Sequence, residues 1–211
     1  MLKYFNKALV LAPHTDDGEL GCGGTINKLL ENGCEVYYAA FSSCWQSVPK
    51  QFPSDILITE VKAATKRLGI KPENLLIFDY DVRTFNYKRQ EILDDMLGLK
   101  RKFSPDLIFM PSVNDVHQDH ATIAGEGVRA FKWNTILSYE LPWNNASFNT
   151  QCFIGLSEEN MVAKAEAVAQ YESQGHRPYA NEEFLKGLAR VRGVQSGNKY
   201  AEAFEIIRLA I

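Results

Sequence analysis

The chain has 211 residues, 45% hydrophobic and 23% charged, enough for one sizeable core in an ordinary globular domain. Its net charge of −3 excludes the basic field that would favour nucleic acid or an anionic membrane surface. No apolar stretch approaches the roughly 20 residues of a membrane helix, and MLKYFNKALVLAPH has neither the apolar core nor the cleavage site of a signal peptide, so a cytoplasmic location without membrane insertion is expected.

Lys7–Ala12 (KALVLA), short, apolar and ended by a proline, predicts a buried strand. Gly24–Asn32 has helical spacing, with Gly33 where a C-cap glycine would sit. Glu35–Phe41 is a second strand. Asp55–Leu68 is a second helix, with Ser54 as N-cap and Gly69 at its stop. Leu75–Tyr80 predicts a third strand and Lys88–Phe103 a third helix, broken by Ser104-Pro105. Asp106–Met110 is a fourth strand, Ala121–Phe131 a helix and Thr135–Glu140 a fifth strand.

The stretch 141–150 (LPWNNASFNT) is turn-rich and aromatic, and reads as a loop over a site, with Trp45 and Trp143 as rim residues. A strand (Cys152–Leu156), a long helix (Glu158–Tyr171), a shorter one (Glu182–Val191) and a last strand (Ala203–Leu209) complete the pattern. Strands alternating with helices of crossover length predict parallel βαβ units. We therefore expect one domain over residues 1–211: a Rossmann-like α/β fold, its mostly parallel sheet covered by helices on both faces. Cys22, Cys34, Cys44 and Cys152 show no CxxC pairing or zinc-finger spacing and read as reduced, packed thiols.

Two polar clusters stand out. LAPHTDDGELGCGG (11–24) follows the first strand, and PSVNDVHQDH (111–120) follows the fourth. Open parallel sheets build sites outside the carboxyl ends of strands where the winding reverses, and in a 3-2-1-4 order strands one and four meet there. His14, Asp16 and Asp17 would then face His117, Asp119 and His120 across one crevice. Three of the four histidines fall in these clusters. Two imidazoles and a carboxylate around an open position describe a catalytic zinc, and such a zinc lowers the pKa of water to about 7. The adjacent aspartates suit a division of labour, one ligating and one acting as base. Gly21, Gly23 and Gly24 would let the backbone turn tightly against whatever the cluster holds. The GxGxxG pattern is incomplete, so a dinucleotide site is not indicated. His176, in SQGHRPY, reads as a solvated loop residue.

APHTDD with GCGG behind it, HQDH a hundred residues later, and the C-terminal YESQ, RG and YAEAF resemble the LmbE-like (PIG-L-type) zinc N-deacetylases. Members of that family remove acyl groups, usually acetyl, from the 2-amino group of sugars. The resemblance covers nearly the whole chain. It implies His14, Asp17 and His120 as Zn2+ ligands, though another divalent transition metal would suit the same donors. It implies Asp16 as general base and His117 as oxyanion stabiliser or proton donor to the leaving amine, with Asp119 tuning the charge of His117. Tyr200, within YAEAF, is implied near the pocket, and Arg83 is a candidate substrate contact. Thr15, Gly18 and Gln118 depart from the family motifs at positions not expected to ligate metal. Leu57 stands where thiol-pathway members often carry arginine, which argues against their particular substrate.

The implied partner is a small N-acylated sugar or glycoconjugate, and the resemblance makes a homo-oligomer plausible. A zinc hydrolase of a non-sugar amide and a non-catalytic sugar- or nucleotide-binding module remain as alternatives.

Overall fold

The computed structural model describes residues 4–210. Its seven strands, β1 (Lys7–Ala12), β2 (Glu35–Ala40), β3 (Leu75–Ile77), β4 (Leu107–Pro111), β5 (Thr135–Tyr139), β6 (Cys152–Leu156) and β7 (Tyr200–Arg208), form one sheet in the order β3-β2-β1-β4-β5-β7-β6. The pairs among β1 to β5 are parallel, while β7 runs antiparallel to both β5 and β6. The 3-2-1-4 half is the order predicted above, so the winding reverses between β1 and β4.

The helices are α1 (Asp17–Glu31), α2 (Ile56–Leu68), α3 (Arg89–Phe103), α4 (Gln118–Ala130), α5 (Glu158–Val168) and α6 (Glu182–Ser196). β1 explains how they share the sheet. Ala8, Val10 and Ala12 point into a core with α1, α2, α5 and α6, and Leu9 and Leu11 point into a second core with α3 and α4. This period of two, with both sets buried, is the mark of a strand covered on both faces. Full burial of a side chain the size of Val10, Leu9 or Leu11 contributes roughly 1.5–3 kcal/mol, so one strand anchors both helical layers.

Several element ends differ from the sequence reading. The first helix begins at Asp17, not Gly24, with a kink at Cys22 (φ −143°). Glu202 of β7 takes up the N–H groups that the kink frees, accepting from Gly24 at 3.0 Å and Thr25 at 2.7 Å while Lys164 Nζ lies 2.6 Å away. The glycines there serve packing rather than a tight turn over the site. A Cβ on Gly21 would lie 2.4 Å from the Tyr139 ring, and one on Gly24 2.5 Å from Leu156. Ser54 does not cap the second helix, whose N-cap position is Asp55 without a side-chain cap bond. β3 ends at Ile77, α5 at Val168, and α6 continues to Ser196 before Gly197 closes it at φ 71°. The cysteines are free, and among the described residues no helix is long and apolar enough to cross a membrane.

Candidate metal centre

Because β1 and β4 are adjacent and parallel, the chain leaving β1 and the chain leaving β4 emerge side by side. The first carries His14, Asp16 and Asp17 into the N-terminus of α1. The second carries Asp115, His117 and His120 into α4. Asp17 folds back on its own turn, accepting the His14 backbone N–H at 2.8 Å. Its Oδ2 then lies 3.3 Å from His14 Nδ1 and 3.2 Å from His120 Nε2, and those two nitrogens are 3.1 Å apart. Tetrahedral zinc with bonds of about 2.0–2.1 Å sets neighbouring donors about 3.3 Å apart, so the triangle has the right edges and the right donor types. His117 joins the same group, since ligand atoms of His14, His117 and His120 lie within 4.8 Å of one another.

Each imidazole of the triangle is held from behind. His120 Nδ1 lies 2.8 Å from Asp115, and His14 Nε2 lies 3.1 Å from Asp119. A carboxylate on the far nitrogen fixes ring orientation and raises donor strength, the usual support of a metal-binding histidine. Burial pulls both imidazoles down, but Asp17 and Asp115 outweigh it and hold His120 at about 10. For His14, Asp119 and Asp17 outweigh burial in the same way. Burial works against an ionised Asp17, yet His120 and His14 hold it well below the usual carboxylate range. Protons on the two imidazoles thus meet the demand for positive charge that a divalent cation would meet in their place.

The cleft in front of the triangle is lined by Asp16, His117, Arg83, Trp143, Arg177 and Tyr179, among others. Burial and the neighbouring Asp17 raise the Asp16 pKa, and Arg177 opposes them. His117 is drawn down to about 4, first by burial and then by the two other imidazoles. Its Nδ1 accepts the Asp119 backbone N–H at 3.2 Å, as N-cap of α4, so the neutral ring carries its proton on Nε2. Asp119 acts on both neighbouring histidines, His14 and His117. Its carboxylate accepts from the Arg83 N–H at 2.6 Å and the Phe85 N–H at 3.3 Å and meets His14, and its charge favours the protonated form of His117.

Tyr200 is not among the residues lining the cleft. It opens β7, paired with Leu156 and packed on the core, because the β6–β7 ladder fixes its register there. His176 is exposed.

Sequence reasoning passed over Asp115, Arg177 and Gln174. Asp115 had a visible cue, a carboxylate five residues before His120 in the same cluster. Arg177 had none, being about 160 residues from Asp16 in a loop. That loop is anchored through the YESQ segment: Tyr171 Oη donates to the Thr15 carbonyl at 2.6 Å, and Ser173 donates its N–H (2.9 Å) and hydroxyl (2.6 Å) to Glu60. Gln174 then accepts from Arg177 Nε at 2.6 Å, and Arg177 also donates to Tyr179. Trp143 stacks on Tyr179 with centroids 3.8 Å apart.

Comparison with known proteins gives a consistent family. Residues 9–131 match the family described as PIG-L: GlcNAc-PI de-N-acetylase. The chain is 25% identical to diacetylchitobiose deacetylase from Thermococcus kodakarensis, over 95% of this chain and 83% of that protein. Among solved structures, N,N'-diacetylchitobiose deacetylase from Pyrococcus horikoshii superposes with a TM-score of 0.81 at 23% identity, covering 98% of this chain and 85% of that one. The 4-carboxy-2-hydroxymuconate hydratase GalB from Pseudomonas putida also superposes, with a TM-score of 0.75 at 17% identity and 98% coverage of each chain. At such identities the structural likeness speaks for the fold alone. The matched profile spans more than half of the sequence, and the chain belongs to the PIG-L (LmbE-like) family.

Proposed function

We propose that the protein is a zinc-dependent N-deacetylase, a hydrolase of linear amide C–N bonds, acting on a small N-acetylated amino sugar or glycoconjugate. The observation that carries this reading is the triangle of His14 Nδ1, Asp17 Oδ2 and His120 Nε2, with edges of 3.1–3.3 Å, opening onto a cleft that holds Asp16 and His117. Zinc held by these three residues would supply Lewis-acid polarisation of an amide carbonyl and acidify water near neutral pH.

The remaining chemistry belongs to the chain. Asp16, raised by burial and by Asp17, takes the proton of the attacking water. His117, neutral with its proton on Nε2, donates a hydrogen bond to the carbonyl oxygen as negative charge develops there. A neutral ring whose Nδ1 is engaged has no spare proton, so Asp16 returns its own to the leaving amine. Asp115 and Asp119 orient His120 and His14, and Arg177 biases Asp16 toward its ionised form. Arg83 is a substrate contact at the mouth of the cleft.

The diacetylchitobiose deacetylase relative supports the sugar class. The test is acetate release by zinc-loaded protein from a panel of N-acetylated amino sugars, nucleotide sugars and N-acetyl amino acids. Turnover of a sugar is expected. Turnover confined to the amino acids would overturn the sugar assignment and leave a non-sugar amidase.

A further inference from the structure

Arg83 has two features that the reaction does not require. Its backbone sits in the left-handed region at φ 69°, unusual for a side chain of this size. It is held there by the buried Asp119 carboxylate, which accepts the Arg83 N–H at 2.6 Å and also meets His14 Nε2. Strained backbone of this kind persists where surrounding structure enforces it, and it concentrates at ligand sites. The guanidinium it carries is almost unengaged. Its hydrogen bond is to Ser47 Oγ at 3.3 Å, and among the described residues no carboxylate pairs with it. Arg67, Arg89, Arg129 and Arg192, by contrast, each lie against a glutamate.

The charge of the cleft points the same way. Arg83 and Arg177 are the two guanidinium groups of the cleft, and among the described residues no lysine lines it. Arg177 is already fixed by Gln174 and Tyr179. Arg83 has more donors to spare, and a guanidinium fork matches a carboxylate or phosphate in two-point geometry. One carboxylate holds both the Arg83 backbone and His14, so the base of this side chain stands at a fixed offset from the reacting centre.

Building on the deacetylase reading above, we propose that the substrate is an N-acetylated amino sugar bearing an anionic group, phosphate or carboxylate, and that Arg83 is the residue that selects it. Neutral sugars then bind the same reacting centre without this contact and are turned over less efficiently.

The test compares N-acetylglucosamine, its 1-phosphate, its 6-phosphate and N-acetylmuramic acid with the zinc-loaded wild type, Arg83→Gln, Arg83→Lys and Arg83→Gly. At least one anionic substrate should exceed the neutral sugar about tenfold in kcat/KM, with the advantage shrinking as salt rises. The ratio should collapse in Arg83→Gln, survive in part in Arg83→Lys, and collapse equally in Arg83→Gly, where φ 69° is unstrained and backbone distortion cannot be the cause. Calorimetry with glucosamine and glucosamine 6-phosphate reads the same preference as binding, without turnover. Equal kcat/KM and equal binding for neutral and anionic members, or a ratio unchanged in Arg83→Gln, would overturn the inference while leaving the deacetylase reading intact. Hydrolysis of no sugar, with hydrolysis of an acetyl amino acid, would instead overturn that reading, and the calorimetric comparison would still decide the preference for anions.

Discussion

Asp115 Oδ2 lies 2.8 Å from His120 Nδ1, and the other oxygen of the same carboxylate accepts the His117 backbone N–H at 2.8 Å. One buried side chain thus orients a candidate ligand and fixes the turn that presents His117. Asp115→Asn keeps the shape but weakens the support of His120. Zinc affinity should fall about 10–100-fold, as when such supporting carboxylates are removed elsewhere. Competition against a chelator measures it, and an unchanged affinity would remove Asp115 from the centre.

His117 is predicted to act on the substrate rather than on the metal. His117→Ala should lower kcat by roughly 10²–10³ with zinc content intact, the usual effect of losing one oxyanion donor. Loss of zinc in that variant would place His117 among the ligands, in the three-histidine group that its distance from His14 and His120 allows.

Arg177 sets a pH dependence. Burial and Asp17 raise the pKa of Asp16, and the Arg177 charge lowers it. Arg177→Gln removes the lowering influence, so Asp16 holds its proton to higher pH and is lost as a base over a wider acid range. The acid limb of the kcat/KM profile should move upward, with a greater loss at pH 6 than at pH 8. A limb that stays in place, at equal zinc content, would exclude this role.

The glycines of α1 give a stability prediction. Gly21→Ala places a Cβ 2.4 Å from the Tyr139 ring, and that ring is pinned by its hydroxyl donating to the Leu11 carbonyl at 3.1 Å. Overpacking of this kind costs about 1–3 kcal/mol, measurable as a lower denaturant midpoint. A neutral effect would mean that helix and sheet can part more easily than the packing implies.

How much of this was legible in the sequence depended on the kind of signal. Apolar runs such as KALVLA and DLIFM fixed the strands, and their alternation with helical spacing put β1 beside β4. That adjacency brought His14, Asp16 and Asp17 to His117 and His120. The first turns of α1 were missed because DGELGCGG has neither apolar period nor helix propensity. Packing against Tyr38, Tyr139 and Leu156 forms that helix, a tertiary cause that local pattern does not carry. α6 continues past Val191 for a related reason: at Gly193 the missing Cβ leaves room for the Asn198 and Lys199 carbonyls. Arg177 and the Asp119–Arg83 link depend on contacts between distant segments and leave no local trace. The fold also does not name the reaction, since a hydratase shares it.

The adjacent aspartates give the most direct test of the central claim. Asp17 stands in the donor triangle, while Asp16 lines the cleft beside it. Asparagine matches aspartate in size but carries no charge and accepts no proton at neutral pH. The measurement is zinc stoichiometry together with kcat for Asp16→Asn and Asp17→Asn across a range of zinc concentrations. Asp16→Asn should keep its zinc and lose about 10²–10⁴ of activity at every concentration. Asp17→Asn should lose zinc and regain part of its activity as zinc is added. Rescue of Asp16→Asn by zinc, with Asp17→Asn fully loaded, would contradict the account by exchanging the two roles.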